Sequence, residues 1–238
     1  MTQGNHLSAK LVKPRSAWQD ERVLDCKQGI AYVGILPQGG VGWVEYEYSS
    51  SVAYEGVSIS AIRSGPPYRY PVYVRKRAVY GIIASTSRAV VDAITSPKGV
   101  LRDLIRTSVS IHVHSLVFEM LNEKKKNRFE IPDGSGARRQ ACVSFLQLET
   151  TGLKPALNSA TLYGNDLSQS PLIQSLKEVV TFQRSGLRFP GEAEEFLRLG
   201  YDAMISFPSD LLGQGSDRTM GTVLEEILAW FWERGYLS

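Results

Sequence analysis

The sequence predicts an α+β fold, with a mainly antiparallel sheet in the N-terminal two thirds packed with helices and a helical C-terminal third. Three observations carry this expectation. Apolar and polar residues alternate with period two through much of residues 30–83, and again between Val109 and Leu148. After Pro155 the apolar residues recur at helical spacing. Strand-like segments come first and helix-like ones last, the order of α+β folds rather than of alternating βαβ units.

Taken in order, residues 1–15 read as a flexible, mildly basic segment holding Lys10, Lys13 and Arg15. Residues 16–238 read as a single α+β domain, with room for a sub-boundary near 150–170. Ser16 and Gln19 form a capping-box pattern for a short helix through Lys27. Ile30–Leu36 reads as a strand, and Pro37-Gln38-Gly39-Gly40 as a turn. Trp43, Glu45 and Glu47 alternate with Val44, Tyr46 and Tyr48 as in a half-buried strand, and Val57–Ile62 continues the signal. Gly65-Pro66-Pro67 interrupts it and Val72–Arg75 resumes it. Ala78–Ile83 fits either strand or helix, while Thr86–Ile94 carries a helical apolar face.

Ser96-Pro97 has the form of a helix start, with Leu101, Leu104 and Ile105 as its stripe. Val109, Ile111 and Val113, leading into Leu116-Val117-Phe118, form the clearest strand pattern. Phe129–Ile131 and Cys142–Leu148 read as further strands around Asp133-Gly134-Ser135-Gly136. Helices are expected from Ser170-Pro171 through Phe182 and over Gly191–Ile205. The closing helix carries Met220, Val223, Leu224, Ile227, Leu228 and Phe231, with Gly235 as its stop.

Composition narrows the function classes. The 238 residues are 43% hydrophobic, 10% aromatic and 21% charged, which excludes a disordered chain. Two cysteines, Cys26 and Cys142, make neither a C-x-x-C motif nor a disulfide scaffold, and read as thiols in a reducing compartment. The N-terminal residues lack a signal peptide's apolar core, and no apolar run reaches the ~18 residues of a membrane span. The expected location is intracellular, soluble or peripheral to a membrane.

Charge is unevenly laid out. Residues 1–80 hold ten Lys/Arg against six Asp/Glu, residues 81–160 eleven against seven, and residues 161–238 six against eleven, or +4, +4 and −5. A basic body attracts phosphates of nucleic acid or anionic lipid, and an acidic end can meet the basic part of another copy. Two basic clusters stand out, Arg75-Lys76-Arg77 and Lys124-Lys125-Lys126 with Arg128. Tyr68, Tyr70, Tyr73 and Tyr80 surround the first, so arginines and aromatics there could pair with phosphates and stack on bases. The same tyrosines suit a strand, and the lysines suit a solubilising hairpin tip.

Chemical motifs are few. No G-x-x-x-x-G-K-[ST] loop and no serine-hydrolase elbow is present, and three histidines leave little for a catalytic triad. Glu192, Glu194 and Glu195 read as dipole-complementing residues at a helix start. On a strand, His112 and His114 would face the same side and could share a metal. His112-Val113-His114 resembles the metal motif of rolling-circle (HUH-type) nucleases. That resemblance implies a tyrosine nucleophile, for which Tyr163 is best placed, and an acidic ligand such as Glu119. Tyr163 is followed by Gly164-Asn165-Asp166, without the lysine of that motif.

The run Val57–Tyr70 is a strand ending in Arg63-Ser64-Gly65-Pro66-Pro67-Tyr68-Arg69-Tyr70. It resembles a segment of rhabdovirus matrix proteins. The resemblance implies a non-enzymatic structural protein that self-associates, condenses nucleoprotein–RNA and lines an acidic inner membrane surface, in a virion if viral. Arg63, Tyr68, Arg69, Tyr70, Arg75, Lys76, Arg77 and Lys124–Lys126 would then contact the anionic partner. No cofactor, catalytic residue or small-molecule substrate is expected. The dense N-terminal lysine run of that family and its Pro-Pro-x-Tyr motif are both missing, because tyrosine follows Pro66-Pro67 directly. A nucleic-acid-binding role in replication, movement or silencing suppression is the alternative, and a metal-dependent nuclease the third reading.

Overall fold

The structure, a computed structural model, describes residues 6–16, 18, 24, 27, 29–35, 42–52, 54–55, 58–59, 67–122, 129–133, 137–150, 159–192, 195–208 and 220–238. Its elements in chain order are β1 (His6–Pro14), β2 (Ile30–Ile35), β3 (Trp43–Ser50), β4 (Tyr54–Glu55), β5 (Ser58–Ile59), β6 (Tyr68–Lys76) and β7 (Gly81–Ser85). There follow α1 (Arg88–Thr95), β8 (Ile105–Ser108), α2 (Val113–Asn122), β9 (Glu130–Pro132), β10 (Arg138–Gln140), β11 (Cys142–Thr150) and β12 (Ser159–Tyr163). The chain closes with α3 (Pro171–Leu176), β13 (Val180–Arg188), β14 (Leu197–Gly200), β15 (Met204–Pro208) and α4 (Met220–Glu233).

This corrects the expected fold class. The described residues are 48% strand and 22% helix, mostly antiparallel sheet, and the helices are not gathered in the C-terminal third. Two compact units form, one from residues 1–109 and 203–221, the other from 110–202 and 222–238. The chain therefore crosses between units near 109, 202 and 221, not near 150–170.

In the first unit the strands run in the order β15-β1-β7-β6-β3-β2, with β8 also pairing β1. Residues 6–14 are thus no flexible leader. Leu7, Ala9 and Leu11 alternate into buried positions, and Lys10 reaches Asp92 at 3.6 Å. All five residues of β7 are buried. Val44, Tyr46, Val72, Val74 and Ile83 line one sheet face, packed with Val90 and Ile94 of α1 and with Leu101, Leu104 and Ile105. Those last three form no helix; Leu101 and Leu104 sit in successive turns closed by Gly99 N–H to Ser96 O (2.8 Å) and Leu104 N–H to Leu101 O (2.9 Å), and Ile105 opens β8. Gly99 lies so close to α1 that a Cβ would stand 2.4 Å from the Ala93 carbonyl oxygen.

In the second unit the strands run β12-β11-β13-β14, with β9 and β10 as a separate hairpin. The expected strand through Phe118 is a helix. Val113, Leu116, Val117, Met120 and Leu121 of α2 are buried at helical spacing, which outweighs the short alternation Val109, Ile111, Val113. Only Ile111 makes a β-bridge, to Leu237. The expected helix through Phe182 stops at Leu176, because Val179-Val180-Thr181-Phe182 is β-branched and aromatic and enters β13. Gly191–Ile205 is likewise not helical. The Glu/Ala-rich start suggested a helix, but Leu197 and Leu199 bury either side of exposed Arg198 in β14, and β15 follows. The closing helix forms as expected, and Gly235 follows it in a left-handed conformation (φ +75°). No helix among the described residues is long and apolar enough to cross a membrane.

Candidate functional site

Those of the expected anion-binding residues that the structure describes do not share one face. Arg63 and Lys124–Lys126 lie outside the described residues, as do most of the expected Ser16–Lys27 helix, the Pro37–Gly40 turn and Gly134–Gly136. The others sit on β6, which pairs regularly with β3 and β7, so its pleat alternates them. Tyr68, Tyr70 and Lys76 fall on the side of Val72 and Val74, where Tyr70 packs at the margin of the core with Tyr48 and Tyr32. Arg69, Tyr73 and Arg75 fall on the opposite side, and Arg77 lies beyond the strand end.

That opposite side is not uniformly basic. Glu45 and Glu47 of β3 lie on it across from Tyr73 and Pro71, and Arg69 pairs with Glu47 at 3.3 Å. Burial, followed by the nearby Glu45 carboxylate, raises the Tyr73 phenol above its ordinary pKa. Two arginines and two glutamates there cancel in charge.

The two histidines do not share a strand face either. His112 stands just before α2, where its carbonyl accepts from Leu116 N–H (3.1 Å) and its Nε2 contacts Ser238 Oγ (2.9 Å). His114 lies in the first turn of α2. Its ring stacks on Phe182 with centroids 5.5 Å apart, and its Nδ1 accepts the Phe182 N–H at 3.4 Å. Glu119 accepts from the Tyr236 hydroxyl and from Arg234 Nη1 (3.3 Å). Tyr163 lies on β12 against Phe145 (5.2 Å). Among the described residues no cluster of three or more His, Cys, Asp or Glu is arranged to hold a metal.

The structure instead assembles a cleft within the second unit that the sequence did not suggest. Its volume is about 470 Å³, and Cys142, Asn165, Asp166, Arg188, Pro190 and Glu192 line it together with Gly191. Sheet pairing explains the convergence. Cys142 opens β11 and Arg188 ends β13, and the two are direct partners in the ladder. Gly164 N–H donates to Ser144 O (3.0 Å) where β12 ends, which brings Asn165 and Asp166 alongside. The turn after Phe189 supplies the opposite wall. Phe189 stacks on Phe196 at 4.3 Å, Arg139 lies over the Phe189 ring at 4.2 Å, and Arg139 holds Glu192 at 2.8 Å.

Polar partners in the cleft are specific. Asp166 caps the short 3-10 turn Leu167–Gln169, accepting from Ser168 N–H (3.0 Å) and from the Ser168 hydroxyl. Arg188 Nη2 donates to Asn165 O at 2.6 Å, while its Nε is sealed from solvent with no hydrogen-bond partner. The Cys142 thiol donates to Arg188 O (3.2 Å) and Asn165 O (3.4 Å). Burial raises the Cys142 pKa above the ordinary thiol value, and the Arg188 hydrogen bond offsets this only in part. A protonated, buried thiol is a poor nucleophile, so this cleft suits binding rather than covalent chemistry.

Local sequence patterns gave little warning of the cleft. Its residues are drawn from segments more than twenty positions apart, and no short motif encodes such a meeting. The nearest signal was the turn-forming Gly164-Asn165-Asp166 directly after a strand. Neither a comparison with family models nor one with curated proteins finds a match for the chain.

Proposed function

We propose that this chain is a non-enzymatic assembly protein that joins copies of itself head to tail and engages an anionic partner. The observation that carries the reading is the chemistry of the two outermost strands. β2 (Ile30-Ala31-Tyr32-Val33-Gly34-Ile35) and β12 (Ser159-Ala160-Thr161-Leu162-Tyr163) contain no charge and no proline. Among the described residues neither has a strand on its outer side. Val33 and Ile35 are each 56% exposed and Tyr163 is 70% exposed. Outer strands are ordinarily guarded by lysine, proline or a bulge, and the bulge at Val33 is the only such device on these two. An unguarded edge offers its backbone N–H and C=O groups to another strand.

Charge supports a contact between unlike ends. The first unit holds 15 Lys/Arg against 10 Asp/Glu, or +5, and the second 12 against 14, or −2. The β2 edge belongs to the basic unit and the β12 edge to the acidic one, so β2 of one copy meeting β12 of the next brings opposite charges together. Such a contact is heterologous and continues from copy to copy. The anionic partner, nucleoprotein–RNA or an acidic membrane surface, is drawn to the +5 unit. The matrix-type form of the reading rests on the Val57–Tyr70 resemblance.

The test is sedimentation of single-edge variants. Val33→Lys guards β2 and Thr161→Lys guards β12, both at exposed positions. Each alone is expected to be monomeric at concentrations where the unmodified protein oligomerises. An equimolar mixture is expected to form dimers and nothing larger, because each copy keeps one usable edge. Oligomers that persist in both variants would refute the edge reading, and a dimer formed by Thr161→Lys alone would show β2 pairing with β2 instead.

A further inference from the structure

Among the described residues Arg188 is the one cation that lines the cleft. Glu192 is neutralised by Arg139 at 2.8 Å, and Asp166 is satisfied by the Ser168 N–H and hydroxyl. Arg188 has only neutral partners: the Asn165 carbonyl at 2.6 Å and the Asn165 side-chain oxygen at 3.4 Å, both on Nη2, and the protonated Cys142 thiol beside it. Among the described residues no carboxylate lies within ion-pair distance of it, and Nη1 has no acceptor. The thiol next to it supplies no negative charge, because Cys142 spends its proton on two backbone carbonyls. A half-buried guanidinium without a counter-charge is costly to keep, and an anion from outside would remove that cost.

The surroundings restrict which anion fits. The Asn165 carbonyl fixes Nη2 and Nε is sealed from solvent, so the Nη1/Nη2 end of the guanidinium is the one held ready for a planar, two-oxygen acceptor. Pro190, Gly191 and the Cys142 thiol provide an uncharged wall for an apolar body. Asp166, hydrogen-bonded only by Ser168, keeps its charge in the same lining and disfavours a ligand carrying several negative charges. A volume of about 470 Å³ matches a small molecule.

We propose that this cleft binds a small organic monocarboxylate, with its carboxylate on Arg188 and its apolar body against Cys142 and Pro190. This site is separate from the strand edges that carry the assembly reading and stands or falls independently of it. Neither a nucleic-acid backbone nor a polyphosphate suits it, because the Asp166 carboxylate opposes their added charge.

The test is nuclear magnetic resonance of the arginine Nε–H groups, with benzoate as the probe. The Arg188 signal is expected to shift saturably with benzoate and not with benzamide, its neutral isostere. Arg188→Gln is expected to abolish the response at the backbone amides of Asn165 and Gly191, with the remaining backbone spectrum superimposing on that of the unmodified protein. Should Arg188→Gln fail to fold, Arg188→Lys keeps the charge without the fork and is expected to weaken benzoate at least tenfold. No saturable shift, an equal response to benzamide, or full affinity in Arg188→Lys would overturn the proposal. Tighter binding of inorganic phosphate or of single-stranded RNA than of benzoate would overturn the choice of a monoanion. Assembly measured on Arg188→Gln is expected to match that of the unmodified protein.

Discussion

Replacing Gly186 with alanine tests how the wall of the cleft is fastened. A Cβ at Gly186 would stand 2.7 Å from Glu195 Cδ and Oε1. The carboxylate cannot swing away freely. It accepts the Ser144 hydroxyl at 2.8 Å, is held by Arg198 Nε, and belongs to a side chain only 13% exposed. Displacing it loses a charge-assisted hydrogen bond of about 1.5–3 kcal/mol. The half-exposed arginine pair adds less than about 1 kcal/mol. Ser144 is not orphaned, since it can still donate to Gly186 O at 3.2 Å. The expected cost of Gly186→Ala is therefore about 2–3 kcal/mol. In a Glu195→Ala background the obstructing carboxylate is gone. The same change is then neutral, or stabilising by up to about 1 kcal/mol, because alanine restricts the unfolded chain more than glycine does. Urea unfolding of the two single variants and the double variant closes the cycle, with an expected coupling of at least about 1.5 kcal/mol. Equal costs of Gly186→Ala in the two backgrounds would refute the argument that Glu195 is what makes glycine necessary there.

Three further expectations follow from the packing. Gly99→Ala places a Cβ 2.4 Å from Ala93 O and 2.5 Å from Ile94 O, both backbone atoms that cannot step aside, so it should cost about 3 kcal/mol in urea unfolding. Cys142 has a raised pKa in the folded protein, so folding favours its protonated form; its contribution to stability is complete below the unfolded thiol pKa of about 8.5 and is lost as pH rises toward the folded value. Cys142→Ser should therefore flatten the fall in unfolding free energy on the alkaline side of about pH 8.5, and an unchanged slope would count against the assignment. His114→Ala should cost about 1–2 kcal/mol through loss of the Phe182 stack and the Phe182 N–H acceptor.

How far the sequence could be read depended on how long each pattern ran. The closing helix was legible because its apolar stripe runs from Met220 to Phe231 and a glycine that takes φ +75° follows the helix at Gly235. β3 was legible because Val44 and Tyr46 are buried and the glutamates that alternate with them, Glu45 and Glu47, are not, although Trp43 is buried as well. Short patterns failed. Val109, Ile111 and Val113 alternate, but Val113 is also the first residue of a helical stripe that continues to Leu121, and the longer stripe prevails. The acidic run at Glu192–Glu195 suggested a helix through local propensity. In the fold Glu192 answers Arg139 and Glu195 answers Ser144 and Arg198, and no local propensity records those contacts.

The charged residues show how a charge summed over a unit differs from a cluster counted along a strand. Arg69, Arg75 and Lys76 are close in sequence, yet a strand sends Lys76 to the opposite side from Arg69 and Arg75, and Glu45 and Glu47 of the neighbouring strand share the arginines' side. Proximity along a strand therefore counts twice as many charges as any one face presents. Net charge summed over a whole unit is immune to this, because the pleat moves a charge between faces without removing it. The imbalance seen in thirds of the sequence persists when the sum follows the units, as +5 against −2. Long-range attraction between copies responds to that sum, while a specific anion responds to one guanidinium and the groups within a few ångströms of it. The two effects separate by salt. Raising ionic strength from 0.05 to 0.5 M should slow assembly of the unmodified protein markedly, while benzoate affinity at Arg188, a short contact in a half-buried cleft, should fall much less. If both fell in parallel, the cleft would be sensing the field of the whole protein and not its own unpaired arginine.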